Sequence, residues 1–277
     1  MTPQEKVQFR SWFPNLNVDA AVVTGEATPV YNCISWTVGV TDRWLWPGGT
    51  MVNFDTFYRG FGFVRGANGP VAAWGRSTTD MTHGSVSGPG HGPRWESKCG
   101  ASLRIQHGLN ELVSNAYGHV LAFYTSSSEV RAPFAAILEE RGAESKLETM
   151  ELTVGDRSAL EHLAAGVPED LRQAYETAFA AWKATWFSGN LALDSNPYSR
   201  ASGREFDALL GLGPEILPLV VKSLADDDNF LALPLYESIQ PDHRMILESK
   251  ANHPEILDGE QGRAGRVVRA WLSNLVQ

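Results

Sequence analysis

Cys33 is one of two cysteines in 277 residues, and it follows Asn32 at the head of the run Ile34-Ser35-Trp36-Thr37-Val38-Gly39. A thiol at the start of a helix is a potential nucleophile, because free N–H groups and the positive end of the helix dipole favour the thiolate. It also needs a base. His83 lies fifty residues downstream in Met81-Thr82-His83-Gly84-Ser85-Val86, where strand alternation would send Met81, His83 and Ser85 to one face. An imidazole there can take the thiol proton and return it to a leaving group. The run Trp95-Glu96-Ser97-Lys98-Cys99-Gly100 comes next, and either Glu96 or Ser97 could hold the imidazole in its working tautomer. Alternation allows only one of the two to face His83.

Asn32-Cys33, Thr82-His83, the Trp-x-Ser-Lys-x-Gly run at 95–100, Ile105-x-His107 and Tyr117-Gly118 together resemble the papain-like cysteine hydrolase superfamily. Its small bacterial members, which include cell-wall amidopeptidases, are the better match. The resemblance covers roughly residues 20–125 and implies Cys33 as nucleophile, His83 as base and Glu96 or Ser97 as orienting residue. The glutamine that papain carries six residues before its cysteine would fall at Ala27 here. Asn32 or the Cys33 backbone N–H would then have to meet the oxyanion.

The elements around these residues read as an α+β chain. A short amphipathic helix is expected over 2–14, a helix over 33–39 and another over 52–61, where Phe54, Phe57, Tyr58 and Phe61 recur at helical spacing. Short runs at 62–65, 71–74, 81–86, 94–98 and 120–124, separated by Gly, Pro and Asn, suit an antiparallel sheet with the helices on one side. Residues 84–93 hold four glycines and two prolines and suit a flap between two strands. Trp36, Trp44, Trp46 and Trp74 either wall a substrate cleft or pack behind the nucleophile. Three segments follow: a papain-like domain over 1–128, a polar linker over 129–152, and a small all-helical domain over 153–277 with HEAT-like hairpins around Gly213-Pro214.

A net charge of −9 argues against a nucleic-acid or anionic-membrane partner. No apolar run approaches the ~20 residues of a membrane span, and residues 1–6 do not lead into a signal-peptide core, so a cytoplasmic protein is expected. Two cysteines make no disulfide framework, although Cys33 and Cys99 could pair. His83, His91, Cys99 and His107 recur every eight residues, whereas zinc ligands usually stand two to five apart, so neither a metal nor a cofactor is expected. The glycines at 84–92 form no phosphate-binding loop. The expected function is hydrolysis of an amide or acyl substrate, a small molecule or a peptide, through a Cys33 thioester. An acyltransferase or amide-forming enzyme is the second reading, with the helical domain docking a carrier or partner protein. A non-catalytic binding protein or toxin-like effector is the third.

Overall fold

A computed structural model describes residues 1–88, 92–141 and 152–274. Its elements begin with α1 (Pro3–Trp12), β1 (Val22–Gly25), α2 (Cys33–Thr37) and α3 (Met51–Gly60). Five strands complete the first half with little between them: β2 (Phe63–Gly66), β3 (Val71–Ser77), β4 (Asp80–Gly88), β5 (Gly92–Lys98) and β6 (Arg104–His107). After β7 (His119–Ser126) the chain is helical: α4 (Pro133–Arg141), α5 (Val154–Ala165), α6 (Glu169–Thr185), α7 (Arg204–Leu210), α8 (Leu217–Leu224), α9 (Leu233–Ile239) and α10 (Gly259–Asn274). The fold is α+β, one antiparallel sheet with a helical C-terminal part.

The described residues fall into two units. One comprises those within Met1–Ser145 together with Ala192–Asn196 and Lys250–Leu257. The other comprises those within Lys146–Leu191, Pro197–Ser249 and Asp258–Gln277. The sheet unit thus runs past residue 128, into the segment expected as a linker. α4 packs on the sheet unit through Phe134, whose ring meets Phe61 at 5.6 Å, and two later segments return to that unit. Of the linker expected over 129–152, residues 142–151 lie outside the described residues.

The seven strands run in the order β1-β6-β5-β4-β3-β7-β2, every pair antiparallel. Val71 and Ala73 of β3 share a core with Ile34 of α2 and Phe54 and Phe57 of α3. Ala72 and Trp74, pointing the other way as strand alternation requires, share a second core with Phe9 and Phe13 at the end of α1. Helices thus cover both faces, not one. Each begins where its cap directs: Thr2 with Glu5 forms a capping box at α1, Asn32 Oδ1 accepts from Ser35 N at 3.0 Å at α2, and Thr50 caps α3. The expected flap is mostly strand, since β4 reaches Gly88 and β5 starts at Gly92; residues 89–91, His91 among them, lie outside the described residues.

In the second unit α6 carries Tyr175, Phe179, Trp182 and Trp186 along one side, with Trp182 and Trp186 edge to face at 5.1 Å. Arg200 is buried and donates to the Trp186 carbonyl at 3.0 Å, where it holds the turn after α6. No helix among the described residues is long and apolar enough to cross a membrane.

Candidate functional site

Cys33 opens α2 and is fully buried. Its Sγ lies 3.1 Å from Ser195 Oγ, and the backbone N–H groups of Ile34 and Gly84 also reach it. These contacts favour a thiolate, as does the more distant Lys98, yet burial outweighs them and pushes the Cys33 thiol up to about 11. The expected depression is thus reversed. With five residues α2 has only a small dipole, so what acts on the sulfur is a pair of local N–H groups rather than a macrodipole. Gly84 is the residue after His83 and sits in a tight space: an added Cβ would stand 3.0 Å from Thr37 Cγ2 and 3.1 Å from the Tyr58 hydroxyl, so these neighbours would have to give way.

Ser195 comes from Ala192–Asn196, 162 residues from Cys33, and had no signal in the sequence. Trp44 Nε1 donates to the Ser195 carbonyl at 2.8 Å, Ala101 N donates to the Ala192 carbonyl at 2.8 Å, and the Tyr117 hydroxyl reaches the Leu193 carbonyl at 3.4 Å. This strap keeps the thiol covered.

His83 is also fully buried, on β4. Its register partner on β3 is Trp74, while Gly75 pairs with Met81, so Thr82 is an extra residue in β4. That bulge corrects the simple alternation: Met81 joins the core around Ile34, and His83 and Ser85 turn to the opposite face with Trp74. There the His83 ring stacks on Tyr117 with centroids 3.8 Å apart and planes 9° apart. His83 Nε2 lies 3.0 Å from Ser97 Oγ, so of Glu96 and Ser97 it is Ser97 that faces the imidazole. Glu96 points the other way and pairs with Arg104 at 3.2 Å. Ser97 Oγ also meets Ser85 Oγ at 2.7 Å and His107 Nε2 at 2.8 Å, and His107 Nδ1 meets the Gly108 carbonyl at 2.8 Å. His107 is fully buried. Its only sequence signal was the Ile105-x-His107 spacing.

His83 Nδ1 is buried and has no hydrogen-bond partner among the described residues. The resting thiol–imidazole hydrogen bond expected of a Cys/His pair is therefore not formed; the thiol pairs with Ser195 instead. Burial, followed by the nearby His107, holds the His83 imidazole well below its usual range, so thiol and imidazole are both neutral at pH 7.

The other expected site residues are structural. Asn32 is buried, its Oδ1 caps α2 and its Nδ2 donates to the Leu45 carbonyl at 2.8 Å, which leaves it badly placed as an oxyanion donor. Trp44 and Trp74 are fully buried, and Trp46 packs edge-on against Phe54 at 6.2 Å, so none of the three walls an open cleft. Trp44 fixes the strap, and Trp74 Nε1 donates to Ser85 Oγ at 2.9 Å behind the Ser97 cluster. Trp36 is half-buried under the Arg104 guanidinium, 3.9 Å from its ring centre. Cys33 and Cys99 are both free thiols, and no group of three or more His, Cys, Asp or Glu side chains comes together to hold a metal among the described residues.

Two neutral buried histidines make stability depend on acid. Burial pushes His107 down to about 4 from its ordinary 6.5, against the opposing pull of the Gly108 carbonyl. Between those values the unfolded chain binds more protons than the folded one, so stability rises with pH there. The His107 contribution is complete above about pH 6.5 and is lost as pH falls toward 4, a change of roughly 3 kcal/mol. Urea midpoints should fall markedly between pH 7 and pH 4.5, and a His107→Gln variant should show a shallower fall.

A family model described as a domain of unknown function (DUF7689) matches residues 22–125. Those residues run from the start of β1 into β7 and so contain Cys33, His83, Ser97 and His107, but not Ser195. No curated protein and no solved structure matches the chain.

Proposed function

We propose that the chain is a papain-like thiol enzyme that acts on an amide or acyl substrate through a thioester on Cys33. The observation that carries this reading is His83 Nδ1, a buried ring nitrogen without a partner among the described residues, in a residue whose other nitrogen is tied to Ser97 and whose neighbour Gly84 reaches the Cys33 sulfur. Such a nitrogen costs stability unless it is used. In the reaction Ser195 swings off the thiol and the substrate carbonyl takes its place. Cys33 shares the core of Met81 and Ile34 while His83 faces the other side of β4, so the sulfur attacks the carbonyl carbon as its proton passes to Nδ1 through a bridging water. The tetrahedral adduct then collapses to the thioester, and the amine leaves with that proton. Water, deprotonated by the same nitrogen, attacks the thioester, releases the acid and restores the thiol.

Because both groups start neutral, the base acts during attack and not through a standing ion pair. Main-chain N–H groups at the start of α2 are the candidate oxyanion donors, since Asn32 is committed to its cap and to Leu45. Hydrolysis is the preferred outcome, and transfer to an amine follows if the strap excludes water. The helical unit then serves as a docking surface for a carrier or partner protein. Free Cys33 and Cys99 suit a reducing cytoplasm. The complete burial of Cys33 favours a second reading, a binding protein that kept the fold without catalysis. An activated ester such as p-nitrophenyl acetate separates the two: an enzyme leaves an acyl adduct on Cys33, and a binding protein does not.

A further inference from the structure

The hydrogen bonds around Ser97 have two ends whose roles chemistry dictates. The Trp74 indole only donates, and the Gly108 carbonyl only accepts. His107 Nδ1 must therefore carry a proton for Gly108, 2.8 Å away. In the neutral ring, which burial enforces, Nε2 of His107 is then an acceptor, and Ser97 Oγ, 2.8 Å away, donates to it. A hydroxyl has one proton, so Ser97 has none for its other neighbours. Ser85 Oγ accepts from Trp74 at 2.9 Å and turns its own proton to Ser97 at 2.7 Å. The remaining contact, His83 Nε2 to Ser97 Oγ at 3.0 Å, must then be a donation by the imidazole. Every proton in the cluster is assigned by these two ends.

We propose that His107 is a positioning residue which, through Ser97, holds His83 as the tautomer protonated on Nε2 and thereby keeps the Nδ1 lone pair free to act as a base. It touches neither the thiol nor the substrate. Its distance from the reaction is two hydrogen bonds, and without it Ser97 would be free to turn its proton onto His83 Nε2 and invert the tautomer. Use of the lone pair toward Cys33 rests on the thiol-enzyme reading, whereas the tautomer itself does not.

The test is long-range proton–nitrogen correlation NMR on the full chain labelled with nitrogen-15 in its histidines, near pH 7, alongside iodoacetamide alkylation of Cys33. Wild type should show His83 with Nε2 protonated and Nδ1 bare. His107→Gln, whose amide can accept from Ser97 and donate to Gly108, should keep that tautomer and the wild-type alkylation rate. His107→Leu should move the proton to Nδ1 and slow alkylation roughly tenfold or more, as expected for a base with its proton on the wrong nitrogen. A wild-type His83 protonated on Nδ1 overturns the proposal even if no variant folds, and so does an unchanged tautomer in His107→Leu. The stated tautomer with an inert Cys33 would uphold the relay and count against the thiol enzyme.

Discussion

Replacing His83 with alanine should slow alkylation of Cys33 by about 10²–10⁴-fold, the usual worth of a positioned general base. Burial sets the Cys33 thiol near 11, so at neutral pH almost none of it is thiolate, and its reactivity depends on a base that removes the proton during attack. Cys99, pushed up to about 12 by the same cause, should react slowly in both proteins and serves as the internal reference. The variant should also lose stability. His83 fills the space against Tyr117 and gives Ser97 a hydrogen bond, and removing both should cost about 1–3 kcal/mol. Peptide mapping of the alkylated protein over time, with a urea curve for each variant, measures both effects.

Gly100→Ala should do the opposite to Cys33. Gly100 has φ +56°, and a Cβ there would overlap the Ala192 carbonyl and the Leu193 backbone. The left-handed backbone and the overlap should together cost roughly 1–3 kcal/mol. Moving the strap relieves the overlap and takes Ser195 off the sulfur. A thiol released from burial toward its ordinary range near 8.5 gains up to a few hundredfold in thiolate at pH 7, so alkylation of Cys33 should rise about tenfold or more. Loss of stability without faster alkylation would mean that the strap does not guard the thiol.

Much of the scaffold could be read from the chain. The apolar run after Cys33 marked α2, Phe54, Phe57 and Tyr58 marked α3, and the Gly, Pro and Asn breaks marked five of the seven strands among the described residues. β6 was overlooked because Arg104–His107 is four residues long and alternates weakly. Alternation separated Glu96 from Ser97 but could not say which faced inward; that depended on Arg104 across the ladder, which takes Glu96. Nor could it foresee the bulge at Thr82, which parts Met81 from His83. For Trp44 and Trp74 the sequence left a cleft wall and packing behind the nucleophile both open; inside the fold their indole N–H groups find the Ser195 carbonyl and the Ser85 hydroxyl. Ser195 and the strap were out of reach: a contact across 162 residues leaves no local pattern.

The thioester on Cys33 is tested by the mass of the full chain after incubation with p-nitrophenyl acetate near neutral pH, followed by peptide mapping. One acetyl group is expected on Cys33, formed with release of nitrophenolate, absent in Cys33→Ser and strongly reduced in His83→Ala. Acetylation confined to lysines, or equal on Cys33 and Cys99, would contradict it.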